Sequence, residues 1–174
     1  MKKILLIISI ALASTVNAQV SIGGTSVSSP SVSLEFGTGN RGIILPYVTS
    51  AAAVQTAGVV DGTLIYDIAD HRIKLRANGS WKDLSNDDNG TASTTIQDSK
   101  IEKTNAKAAI GTNGATDTTP GILVLTDNNK AMILPKVASP HLNIISPSAG
   151  MMVFDTAAKQ LAVYNGSVWS FWKP

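Results

Sequence analysis

The chain has 174 residues, no cysteine, 14 Lys+Arg against 12 Asp+Glu, and 44 % hydrophobic residues. Without cysteine it has no disulfide, no thiolate metal ligand and no residue for the N-terminal acylation of a lipoprotein. Its basic residues form no cluster interleaved with aromatics, which argues against a nucleic-acid partner.

The N-terminus predicts a destination. Lys2 and Lys3 precede an apolar run from Ile4 to Ala13, broken only by Ser9. Val16-Asn17-Ala18 then offers small or β-branched residues where a signal peptidase reads. Residues 1–18 have the form of a secretory signal peptide, and the run is too short for a membrane span of about 20 residues. Cleavage before Gln19 leaves 174 − 18 = 156 residues. Lys+Arg falls to 14 − 2 = 12 against 12 Asp+Glu, a formal net charge of zero. The expected location is extracellular or at the cell surface, with the periplasm also open. No later apolar run spans a bilayer as a helix, so no membrane insertion is expected after cleavage.

Residues 19–32, rich in Ser, Gly and Val, read as an extended lead-in. A first β unit covers 33–85. Leu34 and Phe36 alternate with Ser33 and Glu35, the period of a half-buried strand. Ile43-Ile44-Leu45 is a continuous apolar run that fits a strand buried on both faces, and Pro46 ends it. Thr49 to Ala57 suits one or two helical turns. Thr63-Leu64-Ile65-Tyr66 is the next strand. Arg72-Ile73-Lys74-Leu75-Arg76 follows, with its three cations expected on a wet face. Asn78-Gly79 is a tight-turn pair, and Trp81 and Leu84 close the unit. Residues 86–119 are small and polar, and read as a linker with a possible short helix over Gln97–Ala109.

A second unit, 120–174, repeats the first. Pro135 lies 135 − 46 = 89 residues after Pro46, and this offset also relates Leu34 to Leu123 and Val48 to Val137. After a one-residue deletion the offset is 88, taking Leu64-Ile65-Tyr66-Asp67 to Met152-Val153-Phe154-Asp155 and Trp81 to Trp169. Only the Asn-Gly-Ser segment slips by a further residue. Core types match while surface types drift, as duplicated packing demands. The predicted fold is mainly β: two tandem small units of short antiparallel strands, joined by a polar linker, after a signal peptide.

Arg41-Gly42-Ile43-Ile44-Leu45-Pro46, Gly62-Thr63-Leu64-Ile65-Tyr66-Asp67, Gly150 to Thr156, and Tyr164-Asn165-Gly166-Ser167-Val168-Trp169 carry a family likeness. They resemble a module of exported and phage-tail-like proteins of Bacteroidota, of the tail-fibre or cell-wall-anchor-like kind. The pattern covers about two thirds of the mature chain and departs from the module at Ala131, Tyr47 and Lys136. The resemblance implies a surface or fibre repeat protein without catalysis. Asp117-Thr118-Thr119 and Asp155-Thr156-Ala157 resemble O-glycan acceptor sites of such proteins, at Thr118 and Thr156, with ordinary turns as the other reading.

Catalytic and metal chemistry find little support. His71 and His141 are isolated, no nucleophile motif is present, and no ligand spacing suits a metal or other cofactor. Asn86-Asp87-Asp88-Asn89-Gly90 lacks the distal Glu of a calcium loop and reads as a solvated turn. Trp81, Tyr164, Trp169, Phe171 and Trp172 gather at the unit ends, as core closure, as an interface, or as a sugar-stacking platform. The expected function is a secreted, non-enzymatic structural or adhesive protein. Its partner is itself, as a homo-oligomer, possibly a trimer; surface glycans or other surface proteins are further candidates. The alternative is a monomeric carbohydrate-binding module. Intact mass of the exported protein tests two of these readings. It should begin at Gln19 and exceed the polypeptide mass by glycans on Thr118 and Thr156; a retained Met1 contradicts export, and unmodified threonines remove the glycan reading.

Overall fold

The computed structural model describes residues 19–55, 58–101, 103 and 105–173. The signal peptide expected over 1–18 lies outside the described residues. Among the described residues the protein is mainly β. In chain order the strands are β1 (Val20–Ile22), β2 (Val32–Phe36), β3 (Ile43–Ile44), β4 (Tyr47–Val48), β5 (Leu64–Asp67), β6 (Arg72–Ala77) and β7 (Ser80–Asp83). They continue with β8 (Ala108–Ile110), β9 (Leu123–Leu125), β10 (Ala131–Ile133), β11 (Lys136–Val137), β12 (Met151–Asp155), β13 (Gln160–Tyr164) and β14 (Trp169–Trp172). Short helices α1 (Ala51–Gln55) and α2 (Pro140–Asn143) follow β4 and β11. No described helix is long and apolar enough to cross a membrane.

The duplication holds pair by pair. One sheet runs β4-β5-β6-β7 and another β11-β12-β13-β14. Leu64 faces Leu75 as Met152 faces Val163, and Arg76 faces Trp81 as Tyr164 faces Trp169, all at the offset of 88. Gly62 N–H donates to Arg76 O, and Gly150 N–H to Tyr164 O. The first pairing of each sheet is parallel, β4 with β5 and β11 with β12, where only antiparallel strands were expected. A crossover of more than a dozen residues through α1 or α2 brings the chain back in the same direction, which a hairpin cannot do. Pro46 and Pro135 have no N–H to pair, but their carbonyls accept from Tyr66 N and Phe154 N.

The repeat begins earlier than the sequence pattern suggests. β1 lies parallel to β2, and β8 lies parallel to β9. Gly37 N–H donates to Ile22 O, and Thr126 N–H to Ile110 O. A strand therefore occupies 108–110, where the polar linker with its short helix was expected; the described part of 97–109 contains no helix. The chain is also ordered as a strand over 20–22, inside the expected extended lead-in.

The apolar strands are exchanged between the copies. β3 of the first repeat pairs with β12 of the second, Ile44 opposite Met151 and Ile43 opposite Met152. β10, its counterpart, pairs with β2 of the first repeat. One shared core follows, combining Leu45, Tyr66 and Ile73 with Ala149, Met152 and Val163. A second cluster of Val137, Ile144, Met151, Val153 and Ala162 belongs to the second repeat.

Two burial expectations are corrected. Ile44 is exposed, so the run at 43–45 is covered on one side only. Lys74 and Arg76 are buried, where a wet face was expected. Lys74 Nζ donates to Asp83 Oδ1 at 2.7 Å, and Arg72 Nη1 to Asp83 Oδ2 at 2.8 Å. The Arg76 guanidinium lies 5.6 Å from the Trp81 ring centroid. Partners on the neighbouring strand and turn let the cations lie flat against the sheet, their stems covering apolar surface.

The aspartate that ends the middle strand ties each helical crossover to its sheet. Asp67 Oδ2 accepts from Ala51 N at 2.8 Å and Oδ1 from Ala69 N at 2.9 Å. Asp155 Oδ1 accepts from Ser139 N at 3.0 Å and Ala157 N at 2.9 Å. Pro140 opens α2 without an N–H, so the bond moves back to Ser139. Burial of Asp155 favours its neutral form, but the N–H donors of Ser139, Ala158 and Ala157 outweigh it and hold the carboxyl below 3.8. A depressed native pKa gives stability that is complete above the unfolded value and lost as pH falls through the native one. Asp155→Asn should therefore lose about 1–3 kcal/mol at pH 7, with the deficit narrowing below pH ~4. Urea midpoints of both proteins at pH 7 and pH 3 check this.

Candidate self-association surface

The sequence-predicted aromatic group is divided by the fold. Tyr164 and Trp169 face each other across β13 and β14, with ring centroids 5.2 Å apart. Phe171 stacks on Trp169 at 6.4 Å, and His141 meets Phe171 edge-on at 5.7 Å. Tyr164, Trp169 and Phe171 pack against the second core cluster. Trp172 is on the opposite face of β14, where alternation puts it, and its Nε1–H donates to Leu84 O at 2.6 Å. Trp81 stays in the first repeat, beneath Arg76. Thr118 and Thr156 are both exposed. Asp117 beside Thr118 is held by Lys107, whose Nζ donates to Oδ2 at 2.6 Å. Among the described residues no group of three or more His, Asp or Glu could hold a metal ion.

Asn165 is the residue that sequence reasoning missed. It is buried in the seam between repeats. Its carbonyl accepts from Tyr66 Oη at 2.9 Å, and its Nδ2 donates to Asp87 Oδ1 at 2.8 Å. Its Oδ1 accepts from Ser167 N and Val168 N. Burial, the largest cause, with the nearby Tyr47, Asp70 and Asp67, pushes the Tyr66 phenol up to about 12, so it remains a donor. The slip of the Asn-Gly-Ser segment was the available signal: Asn165 opens a four-residue connection that turns it inward, whereas Asn78-Gly79 is a two-residue turn with φ of 52° and 70°.

The segment after the first repeat is strapped to this seam. Asn86 N–H donates to Ser170 Oγ at 2.8 Å, and Asp87 meets Asn165. A Cβ on Gly90 would come within 2.0 Å of Asn165 O, so only glycine allows the approach. The Asn86–Gly90 stretch, read from sequence as a solvated turn, is thus anchored in part. Tyr47 Oη adds a further link by donating to Ala149 O at 2.8 Å.

The outer surface carries apolar groups left without cover. Ile44, Val60, Ile122, Leu123, Phe154 and Trp172 are exposed. An open cleft of about 2680 Å³ is lined by Ile44, Val60, Leu64, Ile122, Leu123 and Met132, among others.

Residues 109–173 match the family model described as a phage tail like trimerisation region. The match spans the second repeat, from within β8 to β14, and covers 65 of 174 residues (173 − 109 + 1). It carries the likeness to tail-fibre-like modules on a region named for trimerisation. No curated protein and no solved structure matches the chain.

Asn165→Ala should remove the Asp87 and turn contacts together and destabilise the protein by about 1–3 kcal/mol. Proteolysis should then cut near 86–90 sooner than in the parent. An unchanged cleavage pattern would show that Asn165 does not hold the strap.

Proposed function

We propose that this chain is an exported, non-enzymatic structural protein that assembles with copies of itself, as a trimer, into a fibre-like or adhesive surface layer. The observation that carries this reading is the match to a trimerisation region over the second repeat. The apolar side chains left on the outer surface support it, because a monomer would hold them against water. Zero formal charge on the chain from Gln19 onward gives no net repulsion between copies. The leader-like N-terminus supports export, and the exposure of Thr118 and Thr156 leaves both open to glycosylation.

The alternative is a monomeric carbohydrate-binding module. Its platform would have to rest on Trp172, since Tyr164, Trp169 and Phe171 pack against the core and the Trp81 ring lies under the Arg76 guanidinium. Light scattering on the purified protein separates the readings. A trimer is expected at micromolar concentration, with an unfolding midpoint that rises with protein concentration. A monomer with a concentration-independent midpoint would overturn the proposal.

A further inference from the structure

The contact between the two repeats is heterologous: the first repeat offers one surface and the second receives it with another. The first repeat gives β3 to the edge of β12 and receives β10 on β2. It also sends Tyr47 to Ala149 and Tyr66 to Asn165. Because the sequence is duplicated, the second repeat owns the offering surface too, and the first owns the receiving one. Within one chain, among the described residues, the far edge of β9 and the Thr63-Leu64 edge of β5 are left open, while β10 and β3 each have one edge paired.

Exposure records this directly. Tyr66 is 0 % exposed, and its counterpart Phe154 is 36 % exposed. Leu34 under β10 is 0 % exposed, and its counterpart Leu123 is 48 % exposed. Ala149 and Gly150 are buried beneath the first repeat, while their counterparts Asp61 and Gly62 are exposed. Gly150 O accepts from Leu45 N at 3.0 Å, and the counterpart donor for Gly62 O is the N–H of Leu134. The edge at Thr63-Leu64 lines the same cleft as Ile44 and Leu123.

We propose that a second copy of this chain fills the open edge, repeating between chains the contact that joins the repeats within one. This rests on the self-association reading above and names its surface. Applying the offsets, Met132 of one copy lies opposite Leu64 of the next, and Ile133 opposite Thr63. Ile43-Ile44 of that second copy lies along Leu123-Val124 of the first. Charge agrees with the assignment. Where Tyr47 meets Ala149 within the chain, the counterparts are Lys136 and Asp61, of opposite charge and each about half exposed. Their ion pairs inside the chain are long, Lys136 to Glu35 at 4.0 Å and Asp61 to Arg76 at 3.9 Å. The intrachain contact does not close on itself, since β10 pairs with β2 and leaves β5 open along Thr63-Leu64. A heterologous contact of this kind continues from chain to chain and closes into a ring such as a trimer, or runs on as a filament.

The chain has no native cysteine, so disulfide trapping is clean. Full-length chains carrying Thr63→Cys are mixed with chains carrying Ile133→Cys and oxidised. Residues directly opposite across an antiparallel pair have Cα atoms about 4.5–5.5 Å apart, within disulfide reach. The expected result is a covalent dimer at twice the monomer mass, absent when Ile145→Cys replaces Ile133→Cys. Ile44→Cys with Met151→Cys in one chain should bridge internally and report that the variants fold. In a second measurement, Lys136→Glu should weaken association on the order of tenfold, and adding Asp61→Lys should restore it. An oligomer by light scattering with no cross-link and no response to charge reversal would overturn this surface while leaving self-association standing. A monomer would overturn both. A double variant, Thr63→Cys with Ile133→Cys, that bridges only within one chain would show that the molecule closes its own edge, and would also overturn the inference.

Discussion

The structure depends on a mismatch between each short apolar strand and the sheet next to it in sequence. Ile43-Ile44 cannot continue straight into the sheet that follows, because Pro46 interrupts the pairing and Tyr47-Val48 enters that sheet parallel to β5. Its backbone groups still require partners once buried. They find them on β12, 107 positions along the chain by the Ile44–Met151 pairing (151 − 44). The Leu45-Pro46 step thus belongs to both repeats: the strand before it joins the second sheet, and the strand after it joins the first. The shared core forms around that step, with Leu45 against Tyr66 and Met152.

Polar contacts then fix how the repeats sit. Apolar contact alone tolerates sliding, whereas a buried donor and acceptor pair loses its satisfaction if displaced. Tyr66 to Asn165 is such a pair, and the part-buried bonds of Tyr47 to Ala149 and Asn86 to Ser170 pin the seam at two further points. The strap at Asp87–Gly90 closes over it. Asp67 and Asp155 do the same work inside each repeat, holding each helical crossover to the strand it must accompany.

The duplicated sequence is not used symmetrically. Tyr66 and Phe154 occupy equivalent strand positions, yet one is a buried hydrogen-bond donor in the seam and the other faces outward without a hydroxyl. Tyr47 and Lys136 differ likewise. The copies differ in type where their surroundings differ: Tyr66 lies in the shared core and its counterpart Phe154 is exposed, while Leu75 and Val163, or Ile65 and Val153, stay aliphatic at equivalent strand positions. Divergence at Tyr47, Lys136, Tyr66 and Phe154 therefore marks the surfaces whose partners are not the same.

Much of this was legible in the sequence. The repeat offset, the turn at Asn78-Gly79, the strand of Leu64 to Tyr66 and the predominance of β structure all come from local chemistry: alternation, proline without an N–H, and glycine or asparagine at left-handed φ. The strand at 108–110 was not legible, because two alanines and a single isoleucine, Ala108, Ala109 and Ile110, carry no alternation strong enough to stand out from a polar stretch. Nor was the burial of Lys74 and Arg76, since a cation looks wet until the aspartates that hold it are placed by the hairpin. The exchange of β3 and β10 between repeats was decided only by tertiary structure. An apolar run states that it needs a covered edge and does not state whose. That choice depends on backbone partners about a hundred residues apart, 107 for Ile44 and Met151 (151 − 44) and 98 for Leu34 and Met132 (132 − 34), and no local pattern encodes it.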